Sequence, residues 1–105
     1  MGATNFLHFA SERTPQRAFD KLVKELVETF GDDPHNKTMS SCELSGEDPV
    51  KLADTWSPDI REVAFRFAND AGWGKKGYAR TLDCGLAEAD VPGVHVWAFF
   101  GRAVS

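Results

Sequence analysis

The stretch GWGKKG (Gly72–Gly77) has the spacing G-x-G-x-x-G, in which backbone amides can cradle a phosphate. A dinucleotide site needs that loop to open a helix, so that the first-turn amides and the helix dipole meet the pyrophosphate. The residues that follow, YARTLDCG, instead have a period of two and predict a strand. A kinase-type glycine loop does join strands, but it needs a strand lysine, an HRD-type catalytic loop and a DFG metal ligand. The chain after Gly77 contains none of them. No GxxxxGK string followed by Ser or Thr occurs either. The spacing therefore predicts no nucleotide cofactor.

What remains is a connection over Asn69–Gly77, NDAGWGKKG, expected to be a hairpin loop between two strands. Two readings stand side by side. In one, the glycines supply positive φ angles and Trp73 folds back onto the core, as large aromatics usually do. In the other, Trp73, Lys75 and Lys76 form an exposed tip flanked by Arg66, Tyr78 and Arg80, residue types that anchor interfaces. Charge is asymmetric here. From Arg61 to Leu82 five basic residues (Arg61, Arg66, Lys75, Lys76, Arg80) stand against two acidic ones (Glu62, Asp70), within a chain of formal net charge −4. A basic hairpin on an acidic body suits phosphate or an acidic protein surface. The acidic body argues against general nucleic-acid affinity, which needs a broad basic footprint.

Other reactive residues are scattered. His8 and His95 lie inside apolar runs, where a hydrogen-bonded core histidine is the expectation, and His35 sits in the loop sequence DDPHN. Ser40, Ser41 and Cys42 lack a nucleophile-elbow pattern, and Asp83 and Glu43 are the candidate carboxylate pair. Cys42 and Cys84 are the two cysteines, and no CxxC, HxxxH or HExxH occurs. No catalytic set, metal site or cofactor is assigned. A small hydrolase using His35 with Glu43 or Cys42 is the enzymatic alternative.

The elements that must position these residues follow from periodicity. TNFLHFA (Thr4–Ala10) reads as a strand. TPQRAFDKLVKELVETFG places Ala18, Phe19, Leu22, Val23, Leu26, Val27 and Phe30 on one helical face, with Thr14 as N-cap, Pro15 at the first position and Gly31 as the stop. KTMSSCELS (Lys37–Ser45) reads as a polar edge strand, and a short helix is expected from a cap at Asp48 to about Trp56. REVAFRFA alternates, predicting a strand with Val63, Phe65 and Phe67 inward. YARTLDCGLA predicts another with Leu82, Cys84 and Leu86 inward. VHVWAFFGRAV is apolar on both faces, as for a central strand. The expectation is one α+β domain over residues 1–105, with a mainly antiparallel sheet, one long amphipathic helix packed on one face and a short second helix.

A chain of 105 residues with 42% hydrophobic and 27% charged residues has an ordinary globular composition. No apolar run approaches a membrane span, and the first residues, MGATNFLHFASERT, have no leader pattern. The expectation is a cytoplasmic protein without membrane partners, as a monomer or homodimer.

Three stretches, AFDKLVKELVETFGDDPHNKTMSSC, DAGWGKKGYA and WAFFGRAVS, together resemble a set of small uncharacterised proteins encoded by actinobacteria, their phages and mobile elements. That set carries an AF-containing helix ending in Gly, a Y-x-G-T-I-type strand, a W-G-x-x-G loop and a terminal F-F-G-W-A. This chain has His35 and Lys37 where Tyr and Gly are usual, and Arg102 in place of the Trp. The resemblance implies a mobile-element origin and transfers no catalytic residues. The expected function is a non-enzymatic binding protein that occupies the surface of a host protein, such as a component of a defence system. The alternative is a small nucleic-acid-binding domain, with Trp73 and Tyr78 as stacking platforms.

Overall fold

The order along the chain is β1 (Ala3–Glu12), α1 (Pro15–Phe30), one 3₁₀ turn (Met39–Ser41), β2 (Glu43–Leu44), β3 (Val50–Lys51), α2 (Ile60–Asp70), β4 (Tyr78–Leu86) and β5 (His95–Val104). These come from a computed structural model that describes residues 3–31, 38–88 and 90–104. The expected turn at DDPHNK, with His35 and Lys37, lies outside the described residues.

α1 forms as its spacing predicts. Thr14 Oγ1 accepts the Arg17 amide at 3.2 Å. Pro15 sits in the first turn, where its missing N–H costs nothing, and Gly31, at φ 84°, donates its amide to the Val27 carbonyl. Ala18, Phe19 and Leu22 are buried. The apolar stripe ends early, because Phe30, expected inward, is 59% exposed.

β5 is the central strand. It pairs antiparallel with β1 over ten positions, from Ala3↔Val104 to Glu12↔His95, and antiparallel with β4 on its other side. Alternation sends Trp97, Phe99 and Ala103 into the core beneath α1, with Phe6, Phe19 and Met39. It sends Val96, Ala98 and Phe100 into a second core beneath α2, with Ala64, Ala68, Leu82 and Cys84. Phe99 and Phe100 are both fully buried on opposite faces. Each contributes about 1.5–3 kcal/mol through burial.

Three expectations need correction. REVAFRFA is helical: α2 buries Ala64 and Ala68, one turn apart, and leaves Val63 and Phe65 exposed. The bulky residues make a period of two, while the two fully buried residues are small; Phe67, partly buried, meets Phe100 edge-on. GEDPVKLADTW holds no helix; β3 pairs there, parallel to β4. KTMSSCELS yields a 3₁₀ turn capped by Thr38 and only two strand residues, Glu43 and Leu44, paired parallel with Tyr78 and Ala79.

Residues 43–56 thus run along the outer edge of β4 as an intermittent parallel seam. Ser45, Leu52 and Trp56 donate their amides to the Ala79, Asp83 and Leu86 carbonyls at 2.8–2.9 Å. β1, β4 and β2 run in one direction and β5 in the other, in the order β1-β5-β4-β2. α1 carries the chain from the β1 edge to the β2 edge, and α2 carries it back to β4. Two crossovers of one hand that travel in opposite directions must lie on opposite faces. The helices therefore sandwich the sheet, giving an α+β domain whose long strand pairings are antiparallel.

Candidate functional site

α2 ends in a Schellman arrangement. The Gly72 amide bonds the Asn69 carbonyl at 3.0 Å and the Trp73 amide bonds the Ala68 carbonyl at 2.9 Å. Gly72, Trp73 and Gly74 then follow with φ of 66°, 63° and 76°, three left-handed residues in succession. The glycine pattern is therefore a helix-to-strand turn and not the expected hairpin. Its glycines supply the positive φ angles, as one reading held.

Trp73 pays for its backbone conformation, roughly 1–2 kcal/mol for a non-glycine residue, by packing. Its indole lies half-buried, edge-on to Phe65 at 5.6 Å and to Phe100 at 6.5 Å between ring centroids. It folds back onto the α2-side core instead of standing out as a tip. Lys75 and Lys76 remain exposed.

Beyond the turn, β4 brings Tyr78 and Arg80 to the surface next to Lys75. A cleft of about 470 Å³ opens there, lined by Ser45, Glu47, Gly74, Lys75, Tyr78 and Arg80. Lys75 Nζ stands 5.2 Å above the Tyr78 ring, a cation–π contact. The Arg80 guanidinium lies over Phe100 at 5.4 Å and Phe67 at 6.0 Å. Its Nε donates to Glu47 Oε2 at 2.8 Å. Ser45 and Glu47 come from the loop after β2, held there by the parallel pairing of β2 with β4.

Of the six residues singled out from sequence, Lys75, Tyr78 and Arg80 line one cleft, Trp73 packs beside it and Lys76 is on the same turn. Arg66 is elsewhere: it lies on the outer side of α2, its Nη2 2.6 Å from Glu62 Oε1. Sequence reading missed Glu47, Ser45 and Phe65. Phe65 is 51% exposed against the Trp73 ring, and its signal was available in the spacing Ile60, Ala64, Phe67, Ala68 with Gly72 as a helix stop. Arg102 stands out in the sequence only as a departure from a motif. It lies two positions beyond Phe100 on the same face of β5, half-buried, and adds a further cation to this end of the sheet.

Among the described residues, the other reactive side chains bring together one pair. Asp83 pairs with His95 across the strands, Oδ1 to Nδ1 at 2.9 Å, and takes the Gly85 amide at 3.0 Å. The expected partner Glu43 sits at the Tyr78 end of β4, far along the strand from Asp83. His95 stacks on Trp97 at 5.4 Å on the α1 face; it is hydrogen-bonded as expected but half-buried, not a core residue. Cys84 is buried on the α2 face, its thiol pushed up to about 12 by burial and then by Asp83. Burial also raises the Cys42 thiol. Among the described residues, no group of three or more His, Cys, Asp or Glu is placed to hold a metal ion, and no helix is long and apolar enough to cross a membrane.

No family model matches the chain, and neither does any curated protein or solved structure.

Proposed function

We propose that this chain is a non-enzymatic binding domain that takes an acidic, aromatic- or aliphatic-anchored segment of a partner protein at the surface formed by α2, the left-handed turn and the start of β4. One observation carries the reading: half-exposed Phe65 lies edge-on to Trp73, beside a cleft lined by Lys75, Tyr78 and Arg80. An apolar anchor next to cations matches the composition of interface hot spots, where Trp, Tyr and Arg predominate. Lys75 and Arg80 line the cleft with a single carboxylate, Glu47, and exposed Lys76 lies on the same turn, which favours negative charge in a partner. By the sequence resemblance, the partner is a host protein whose surface the domain occupies.

Nucleic-acid stacking has weaker support. Lys75 stands over the Tyr78 ring, and Trp73 is wedged against Phe65 and Phe100. A base would have to displace protein from either platform.

Fluorescence anisotropy with a labelled Glu-rich peptide containing Trp and Leu tests the proposal, with labelled single-stranded DNA and RNA measured in parallel. The peptide should bind, and Phe65→Ser and Lys75→Glu/Lys76→Glu should each weaken it about tenfold or more without changing the circular dichroism spectrum. Peptide binding that both variants leave unchanged would overturn the site. Salt-sensitive nucleic-acid binding that the lysine variant removes would put the nucleic-acid reading in its place.

A further inference from the structure

Both faces of the sheet are covered, one by α1 and the other by α2, so a dimer through a sheet face is closed off. The edges remain. On the β4 side the edge is broken into two-residue strands. On the other side it is β1, ten residues (ATNFLHFASE) with no proline, no lysine and an unbroken register against β5. Among the described residues no strand pairs with its outer side. A long edge in unbroken register presents alternate N–H and C=O groups to any strand that fits.

We propose that the occupant is a second copy of this chain, pairing β1 antiparallel with β1 to make one continuous sheet across two subunits. The argument is charge order. Lys21 and Glu25, both exposed and one helical turn apart on α1, overhang β1 at Phe9–Ser11, where they help line a groove of about 340 Å³. A two-fold axis through the edge at Ala10 pairs residues 8–12 of β1 with the same residues of the second copy and sets the two α1 helices side by side and antiparallel on one face. Lys21 then faces Glu25 of the partner subunit, and the symmetry repeats the pair. A foreign strand would have to bring that charge order with it; a second copy brings it by symmetry. The contact uses one patch on both subunits and closes at two. Arg61, stacked over Phe9 and Trp56 at 5.9 and 5.8 Å, lines the same groove from the α2 side. The cleft near Lys75 is not involved, so this inference stands apart from the proposed function.

Sedimentation velocity on the full chain, over a wide concentration range, tests it. Wild type should run at twice the chain mass. Lys21→Glu and Glu25→Lys, each at an exposed position, should each weaken the dimer about tenfold, since two symmetry-related pairs become repulsive. The double variant Lys21→Glu/Glu25→Lys should restore it. A monomeric wild type at all concentrations would overturn the proposal, as would a dimer that the single variants leave unmoved or that the double swap fails to restore.

Discussion

Arg80 and Glu47 meet across the seam between β4 and the loop after β2, Nε to Oε2 at 2.8 Å, with the guanidinium lying over Phe100 and Phe67. The two partners do different work. Arg80 is mostly covered and packs its stem and head on the core, whereas Glu47 is 59% exposed at its side chain. In the proposed complex, Glu47 holds the position that a carboxylate of the acidic partner would take. Glu47→Gln should therefore change stability by about 0.5 kcal/mol or less while strengthening acidic-peptide binding about threefold. Arg80→Ala should weaken binding and also cost about 1–2 kcal/mol through lost packing on two rings. Thermal melts paired with calorimetric titrations separate the two effects. A Glu47→Gln variant with weaker peptide binding would show that Glu47 contacts the partner directly.

Glycine substitutions should rank by what a Cβ meets. At Gly101, in the middle of β5, a Cβ would land on the Tyr78 carbonyl and press on the Phe6 ring. At Gly85, φ 97°, it would lie 2.6 Å from the Thr55 amide nitrogen, inside the seam along β4. At Gly72 it meets open space and only the left-handed φ of 66° resists it. Gly101→Ala and Gly85→Ala should each cost more than ~3 kcal/mol, and Gly72→Ala about 1 kcal/mol. Denaturant melts of the three variants check the order.

Where the sequence was legible, large side chains did the packing. α1 has Phe19 and Leu22 on its buried face and unambiguous caps at Thr14 and Gly31, and β5 has Phe99 and Phe100 on opposite faces. α2 is not legible as a helix because its fully buried residues are Ala64 and Ala68, which carry little hydrophobic signal beside the partly buried Ile60 and Phe67. Its aromatic Phe65 looks outward and so completed a false strand pattern with Val63 and Phe67. That misreading turned a Schellman turn into a hairpin. The cleft was half legible for a related reason. Lys75, Tyr78 and Arg80 are close in sequence, but Glu47 arrives through a two-residue parallel pairing, too short to leave a periodic trace.

The thiols should be inert in the native protein. Cys84 is fully buried and its thiol is pushed up to about 12, while burial raises Cys42 as well. At a pH of about 8 only about one Cys84 in ten thousand would carry the reactive thiolate. A disulfide reagent at that pH should label neither cysteine faster than the domain opens, and both promptly in denaturant. Rapid native labelling of Cys84 would mean that α2 lifts from the sheet on the timescale of the reaction.

His8 should make the fold sensitive to mild acid. It lies on β1, half-buried, with its ring stacked on Phe6 at 5.9 Å. Burial holds its pKa below the ordinary 6.5 because the charged form loses its hydration. Between the folded and unfolded values the unfolded chain binds more protons, so stability falls as pH falls. The contribution of neutral His8 is therefore fully present above the unfolded value of 6.5 and is lost as pH drops through that value towards the lower folded one. The midpoint of thermal unfolding should decline between a pH of about 7.5 and one of about 5.5, and His8→Gln, which cannot take up a proton, should flatten that part of the profile. The difference between the two profiles isolates the histidine, because the two chains differ at that residue alone. An unchanged slope in His8→Gln would assign the acid sensitivity to another group.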